Sequence, residues 1–175
     1  MGGAWWVSLL ALAAYGILVA WRPGSFLLGN SAVILAAVSL AVLIGTRLAS
    51  VGALIAFCVA AAAADLVSYF GGPTRAISES FQGSPTDILP YLAVTLPLGK
   101  RLVPVVGLGD LAVLGILSLA LSRQGASGPV AFAVPAAGLL VALTSGFLGS
   151  GAPGVPFMAV AVLCFLGRER WRLGR

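Results

Sequence analysis

Histidine is absent from this 175-residue chain, and acidic residues are scarce. Without histidine the chain lacks the HExxH zinc motif, a Ser-His catalytic pair and a histidine ligand for haem. Charged residues make up only 9% of the chain and hydrophobic residues 60%. A typical soluble domain has about 25% charged and about 45–50% apolar residues. A soluble globular domain and a disordered chain are therefore excluded, and we expect an integral membrane protein.

The positions of the cysteines and of the basic residues exclude further kinds of site and partner. The two cysteines, Cys58 and Cys164, both lie inside apolar runs, so we expect small packing residues rather than a disulfide or a metal pair. The net charge of +5 comes mostly from basic residues at the ends of apolar segments, where they act as topology signals. We therefore expect a lipid bilayer as the surroundings and no nucleic-acid partner.

Apolar segments of about 20 residues, the length a helix needs to cross a bilayer, recur along the chain. They predict an all-α polytopic membrane protein with about six transmembrane helices in a single domain over residues 1–175. The predicted spans are residues 4–21, 26–45, 49–70, 102–121, 129–148 and 155–166.

A polar connector over residues 71–101 separates the third and fourth spans. It begins with a Gly-Gly-Pro break and carries the longest polar stretch of the chain. Its last part, residues 91–98, is partly β-branched, is bracketed by prolines and is too short to cross a bilayer. We expect this segment either to lie at the membrane interface or to pair as an edge strand.

The few acidic residues are unevenly placed. The five are Asp65, Glu79, Asp87, Asp110 and Glu169. Asp65 and Asp110 fall within or at the edge of apolar spans, where an ionisable residue costs about 2.5–3.5 kcal/mol. The middle of the spans contains no Lys or Arg to pair with them.

Two carboxyl groups in one apolar site can compensate each other by sharing a proton, because like charges in close contact cannot both ionise. Such a pair provides an acid and a base together, which can activate water and protonate an amide leaving group. Gly107-Leu108-Gly109-Asp110 supports this hypothesis, because its glycines loosen the helix and let water and an extended substrate approach. Two alternatives remain open: an ion relay in a small proton-coupled transporter, and a structural scaffold with both aspartates in headgroup water.

Three motifs, taken in order, resemble those of the GxGD intramembrane aspartyl proteases, the presenilin and signal-peptide-peptidase family. The archaeal presenilin-like members are the most similar. The segment that begins at Asp65 looks like the first catalytic region, and Gly107-Leu108-Gly109-Asp110 matches the second motif. Gly154-Val155-Pro156-Phe157 is similar to the third in its LPF-like form. The resemblance covers residues 60–166. Ala64 departs from it, because the family usually has Tyr at this position.

This resemblance implies the catalytic half of the presenilin fold and an aspartic endopeptidase that cleaves transmembrane or signal-peptide-like segments. Asp65 and Asp110 would be its catalytic residues, and no metal or organic cofactor is implied. The residues that would shape the site are Gly107, Leu108, Gly109, Val155, Pro156 and Phe157. An extended substrate would pair with the strand segment made of Tyr91, Leu92, Ala93, Val94, Thr95 and Leu96. The implied partners are a transmembrane peptide or protein and the lipid bilayer, which we expect to be a prokaryotic cytoplasmic membrane.

A third hypothesis is a GxGD protease of the prepilin-peptidase type, which also acts in a membrane. The motif of those enzymes usually continues into a lysine-containing GDxK segment. Here Asp110 is followed by Leu111-Ala112-Val113, so this alternative fits the sequence less well.

Overall fold

The computed structural model describes residues 4–21, 26–71, 92–98, 101–147 and 153–173. These residues form six helices and two strands. The helices are α1 Ala4–Trp21, α2 Phe26–Leu40, α3 Val51–Gly71, α4 Leu108–Arg123, α5 Gly128–Phe147 and α6 Gly154–Leu173. A π-helical turn, Ala41–Gly45, continues α2, and the strands are β1 Ala93–Leu98 and β2 Arg101–Gly107.

Three helical segments are long and apolar enough to cross a membrane: Leu27–Gly45, Val51–Gly71 and Gly128–Ser145. Their outward faces are apolar as well, since Val67 of α3 is 72% exposed and Leu140 of α5 is 61% exposed. Helices that are apolar all round are typical of membrane spans or of a deeply buried core. The prediction of a mostly helical chain with membrane-length helices is therefore confirmed at this coarse level.

The two strands correct the all-α prediction. The fourth predicted span, residues 102–121, is helical only from Leu108 onward, because Arg101–Gly107 is β2. Three β-branched valines in this segment favour a strand, whereas Pro104 and Gly107 disfavour a helix. At the other end of the chain, α6 extends to Leu173, beyond the predicted end of the last span.

β1 and β2 form a two-stranded antiparallel sheet. Ala93 lies opposite Gly107, Leu98 lies opposite Arg101, and the register shifts between Val94 and Thr95. Of the two alternatives for residues 91–98, the structure therefore shows the paired strand, which begins at Ala93. Residues 72–91 of the predicted polar connector lie outside the described residues.

α4 and α6 organise the packing of the bundle. α6 lies against α3 and α5, whereas α4 lies against α2, its π-helical turn and α5. The buried side chains between them include Leu54, Cys58, Leu117, Leu121, Met158 and Val162. Both cysteines are free thiols, and Cys164 is exposed whereas Cys58 is buried. The neighbouring helices thus fix both ends of α4 and the first turn of α6.

Gly138 of α5 allows α5 to come close to the first turn of α6. A Cβ atom added at Gly138 would lie 2.5 Å from the backbone oxygen of Phe157 and 2.7 Å from the backbone nitrogen of Met158. Real Cβ atoms do not approach backbone atoms this closely, so a larger residue would force the two helices apart. This contact therefore helps to hold the start of α6 in place.

We expect Gly138→Ala to lower the free energy of unfolding by about 1–3 kcal/mol, because the rigid backbone of α6 must move to admit the methyl group. Gly52→Ala in α3 is the matched control, since its added Cβ would have no neighbour within 4 Å. Thermal unfolding in detergent micelles measures both variants. Equal unfolding temperatures for the two would contradict the close approach of α5 and α6.

Candidate active site

Asp65, in the C-terminal half of α3, contacts the first turn of α6. The backbone N–H of Val155 donates a hydrogen bond to Asp65 Oδ2, with a nitrogen-to-oxygen distance of 3.1 Å. The first N–H groups of a helix have no partner within the helix and carry the positive end of its dipole. The backbone of α6 is thus a favourable partner for the Asp65 carboxylate.

Asp110 lies in the first turn of α4 and is held by the residue that precedes the helix. Its carboxylate accepts a hydrogen bond from the backbone N–H of Gly107. This contact is one half of a capping box, in which an acidic residue in the first turn binds the N–H group of the N-cap residue. A Cβ atom added at Gly154 would lie only 2.5 Å from Asp110 Oδ1. The Asp110 carboxylate therefore also lies directly against the start of α6.

The two carboxyl groups consequently contact adjacent residues of one helix, Asp110 at Gly154 and Asp65 at Val155. Both side chains are partly buried rather than sealed in the core. In the part of the chain that the structure describes, no group of three or more metal-ligating side chains comes together. A carboxyl pair of this kind can share one proton and orient a water molecule.

The predicted residues of the second motif surround this pair. Gly107 ends β2 and Leu108 begins α4, where the N–H of Leu108 donates a hydrogen bond to the carbonyl oxygen of Leu92 at 2.8 Å. Gly109 is exposed, and a Cβ atom there would have no neighbour within 4 Å. The second motif thus joins the sheet to α4 and leaves open space next to Asp110.

The predicted residues of the third motif form the first turn of α6. Val155 is buried, whereas Pro156 and Phe157 are partly buried. Proline is well tolerated in the first turn of a helix, where its missing N–H has no acceptor to lose. The structure thus brings Val155 into contact with Asp65 and places the other two motif residues within one turn of it.

Gly154 begins the third predicted motif, but the sequence did not place it among the residues that shape the site. It is buried, and a side chain there would meet both Asp110 and Leu139, the latter at 3.3 Å. The signal for it is a glycine placed directly before Val-Pro-Phe at the start of an apolar segment. Only the contact with Asp110 explains why a side chain is excluded there.

The outer edge of β1 is bound by Asn30 of α2. Asn30 Nδ2 donates a hydrogen bond to the Thr95 carbonyl oxygen at 2.8 Å, and Asn30 Oδ1 accepts one from the Thr95 N–H at 2.9 Å. The hydroxyl of Thr95 donates a third bond to Asn30 Oδ1 at 3.2 Å. The side-chain amide therefore satisfies the backbone of Thr95 as a neighbouring strand would.

Two prolines further define the edges of the sheet. Pro104 lies opposite Thr95, whose backbone groups point to Asn30 and away from β2, so the missing N–H of Pro104 removes no bond between the strands. By the same geometry Pro104 faces the outer edge of β2, which lacks a donor at this one position. Pro97, two residues after Thr95, faces the same outer edge of β1 and leaves it without a donor there.

This edge arrangement modifies the predicted substrate strand. Ala93, Val94, Thr95 and Leu96 belong to β1, Leu92 lies in a turn, and Tyr91 lies outside the described residues. The inner edge of β1 is paired with β2, and its outer edge is closed at Thr95. Among the described residues β2 pairs with no strand other than β1, and it leads directly into the helix that carries Asp110. Which strand would hold a substrate stays a prediction.

Comparisons of the chain with protein-family models, with curated proteins and with solved structures give no match. Because one fold can carry many chemistries, function has to be inferred from the residues of the site. The family resemblance of the three motifs therefore stays a prediction, whereas the contact of both aspartates with the start of α6 is a structural observation.

A double-mutant cycle tests the contact between Gly154 and Asp110. We expect Gly154→Ala to lower the free energy of unfolding by about 1–3 kcal/mol, because the new methyl group displaces the carboxylate. In an Asp110→Ala background the same change should cost much less, since the shorter side chain leaves room. Chemical or thermal unfolding in detergent gives the four stabilities.

Gly109→Ala is the matched control, because it adds a methyl group in the same motif region with no neighbour within 4 Å. Its effect on the free energy of unfolding should therefore be the same in the wild-type and the Asp110→Ala backgrounds. A cost for Gly154→Ala that is identical in the two backgrounds would contradict the contact.

Proposed function

We propose that this chain is an intramembrane aspartyl protease of the GxGD type, in which Asp65 and Asp110 act as the catalytic pair. The observation that carries the proposal is the meeting of both carboxyl groups at Gly154 and Val155. Three segments that are far apart in the sequence supply this arrangement. It provides the two groups, close together and partly accessible, that acid and base catalysis by one carboxyl pair requires.

In the proposed reaction one carboxyl group is ionised and the other is protonated. The ionised group removes a proton from water as the water oxygen bonds to the carbonyl carbon of the substrate, and the protonated group gives its proton to the carbonyl oxygen. The tetrahedral intermediate, which carries two hydroxyl groups, then breaks its carbon–nitrogen bond, and the protonated carboxyl group gives its proton to the leaving nitrogen. One hydroxyl group gives its proton to the ionised carboxylate as the carbonyl re-forms. The products are a carboxylic acid and an amine, and the pair again holds one proton.

The dimensions of α4 support an active site below the membrane surface. Its 16 residues rise about 1.5 Å each, which gives about 24 Å against a hydrocarbon core of about 30 Å. If α4 crosses the bilayer, its first turn lies within the hydrocarbon core, and β2 spans the remaining thickness of that core. We propose that α1, α4 and α6 cross together with the three membrane-length segments, which gives the six-span topology.

The open edge of β2 suits an extended substrate. A transmembrane segment that unwinds in lipid leaves its backbone groups without partners, and a strand edge supplies them. β2 continues directly into Gly107 and Asp110, so a strand paired with it would pass next to the carboxyl pair. The proposed substrate is therefore a transmembrane or signal-peptide-like segment, held as a strand in the cytoplasmic membrane of a prokaryote.

Purified protein in liposomes should cleave a peptide that contains a single transmembrane segment. We expect Asp65→Asn and Asp110→Asn each to reduce the cleavage rate by about 10²- to 10⁴-fold, because either change removes one partner of the acid–base pair. Mass spectrometry of the products measures the rate. Glu169→Gln is the matched control and should leave the rate unchanged, because Glu169 lies at the other end of α6.

Cleavage that survives both asparagine substitutions would contradict the proposal. Absence of cleavage by the wild type, together with proton movement into liposomes that needs both aspartates, would favour a relay in a transporter instead.

A further inference from the structure

Asn30 is a polar residue in a largely apolar helix, and the proposed chemistry does not use it. The α2 sequence around it consists largely of Leu, Ala, Val and Ile. A polar amide in such surroundings is costly unless it is hydrogen-bonded. All three hydrogen bonds of its side chain described above go to one residue, Thr95, whose side chain is completely buried.

The hairpin that carries the substrate edge is attached to the helices at two points. One is the bond between Leu108 at the start of α4 and Leu92 before β1. The other is the set of bonds between Asn30 of α2 and Thr95 in the middle of β1. Since β1 and β2 are paired along their length, these two attachments together determine where β2 lies relative to Asp110.

We propose that Asn30 is a positioning residue: by closing the outer edge of β1 and fixing the sheet to α2, it determines which peptide bond of a substrate on β2 reaches the aspartates. This inference rests on the proposed protease function. Strand geometry shows why the position matters, because a shift of two residues moves the substrate by about 6–7 Å. A shift of one residue turns every side chain to the opposite face of the sheet.

Without Asn30, two changes follow for the sheet. The backbone N–H and carbonyl of Thr95 lose their partners, so β1 offers a second open edge to an extended segment. The sheet also loses its hydrogen bonds to α2, and β2 is then held through its pairing with β1, its continuation into α4 and the bond between Leu108 and Leu92. Substrate would be held in more than one register, and cleavage would spread over neighbouring peptide bonds.

The test compares three variants with the wild type. Asn30→Leu removes all three hydrogen bonds at similar side-chain size, whereas Asn30→Asp keeps the acceptor for the Thr95 N–H. Thr95→Val is the matched control, because it deletes only the hydroxyl bond and keeps both backbone bonds. If Asn30→Leu does not fold, Asn30→Asp and Thr95→Val are compared with the wild type instead.

The test uses three readouts: hydrogen exchange, analysis of the products and kinetics. Hydrogen exchange measures protection of the Thr95 amide, which we expect to fall by about tenfold or more in Asn30→Leu and to persist in Thr95→Val. Mass spectrometry of the products gives the distribution of cleaved bonds, and kinetics give kcat and KM. We expect Asn30→Leu to raise KM and to spread cleavage over adjacent bonds. Asn30→Asp should lie in between, and Thr95→Val should keep the wild-type pattern.

The outcomes separate this inference from the proposed function. If the wild type cleaves, and Asn30→Leu cleaves the same bond with unchanged KM, the positioning role is overturned and the protease proposal stands. A lower kcat with an unchanged bond and KM would indicate a merely structural residue and would also overturn it. If the wild type cleaves nothing, the protease proposal fails and the positioning role fails with it, while exchange still reports whether Asn30 closes the edge of β1.

Discussion

The first turn of α6 is the contact on which the site depends. Its backbone binds the Asp65 carboxylate at Val155 and lies against the Asp110 carboxylate at Gly154. Carboxylates in apolar surroundings need compensation, which proteins usually provide with a cation or with hydrogen bonds. Here the N–H groups and dipole of a helix start provide it, and a second carboxyl group can share the proton. The site thus combines two groups of like charge around one backbone turn.

Several features of the chain hold this turn in place. Gly138 lets α5 contact its backbone, and Gly154 leaves room for the Asp110 carboxylate. α3 packs against α6 and brings Asp65, whereas the sheet leads into α4 and brings Asp110. The strands have a separate requirement. A strand within the hydrocarbon of a membrane needs hydrogen-bond partners for its backbone groups. Asn30 provides them at Thr95 on the outer edge of β1.

The sequence located Asp65 and Asp110 because charge is costly in apolar segments, so the few acids placed there stand out from those in connectors. It did not predict that residues 102–107 form a strand, since a short apolar run is compatible with either conformation. The roles of Gly154 and Asn30 were missed for a different reason. Each is needed only because of a residue far away in the chain, Asp110 for the glycine and Thr95 for the amide, and no local pattern contains that information.

The most direct test of the carboxyl pair is the binding of a transition-state mimic. In this measurement, a transmembrane peptide whose scissile amide is replaced by a secondary alcohol is compared with the unchanged peptide. If Asp65 and Asp110 act together on a tetrahedral intermediate, the wild type should bind the alcohol at least about 100-fold more tightly than the amide. Asp65→Asn and Asp110→Asn should each lose this preference. Equal binding of the two peptides by the wild type, or a preference that survives both substitutions, would contradict the account.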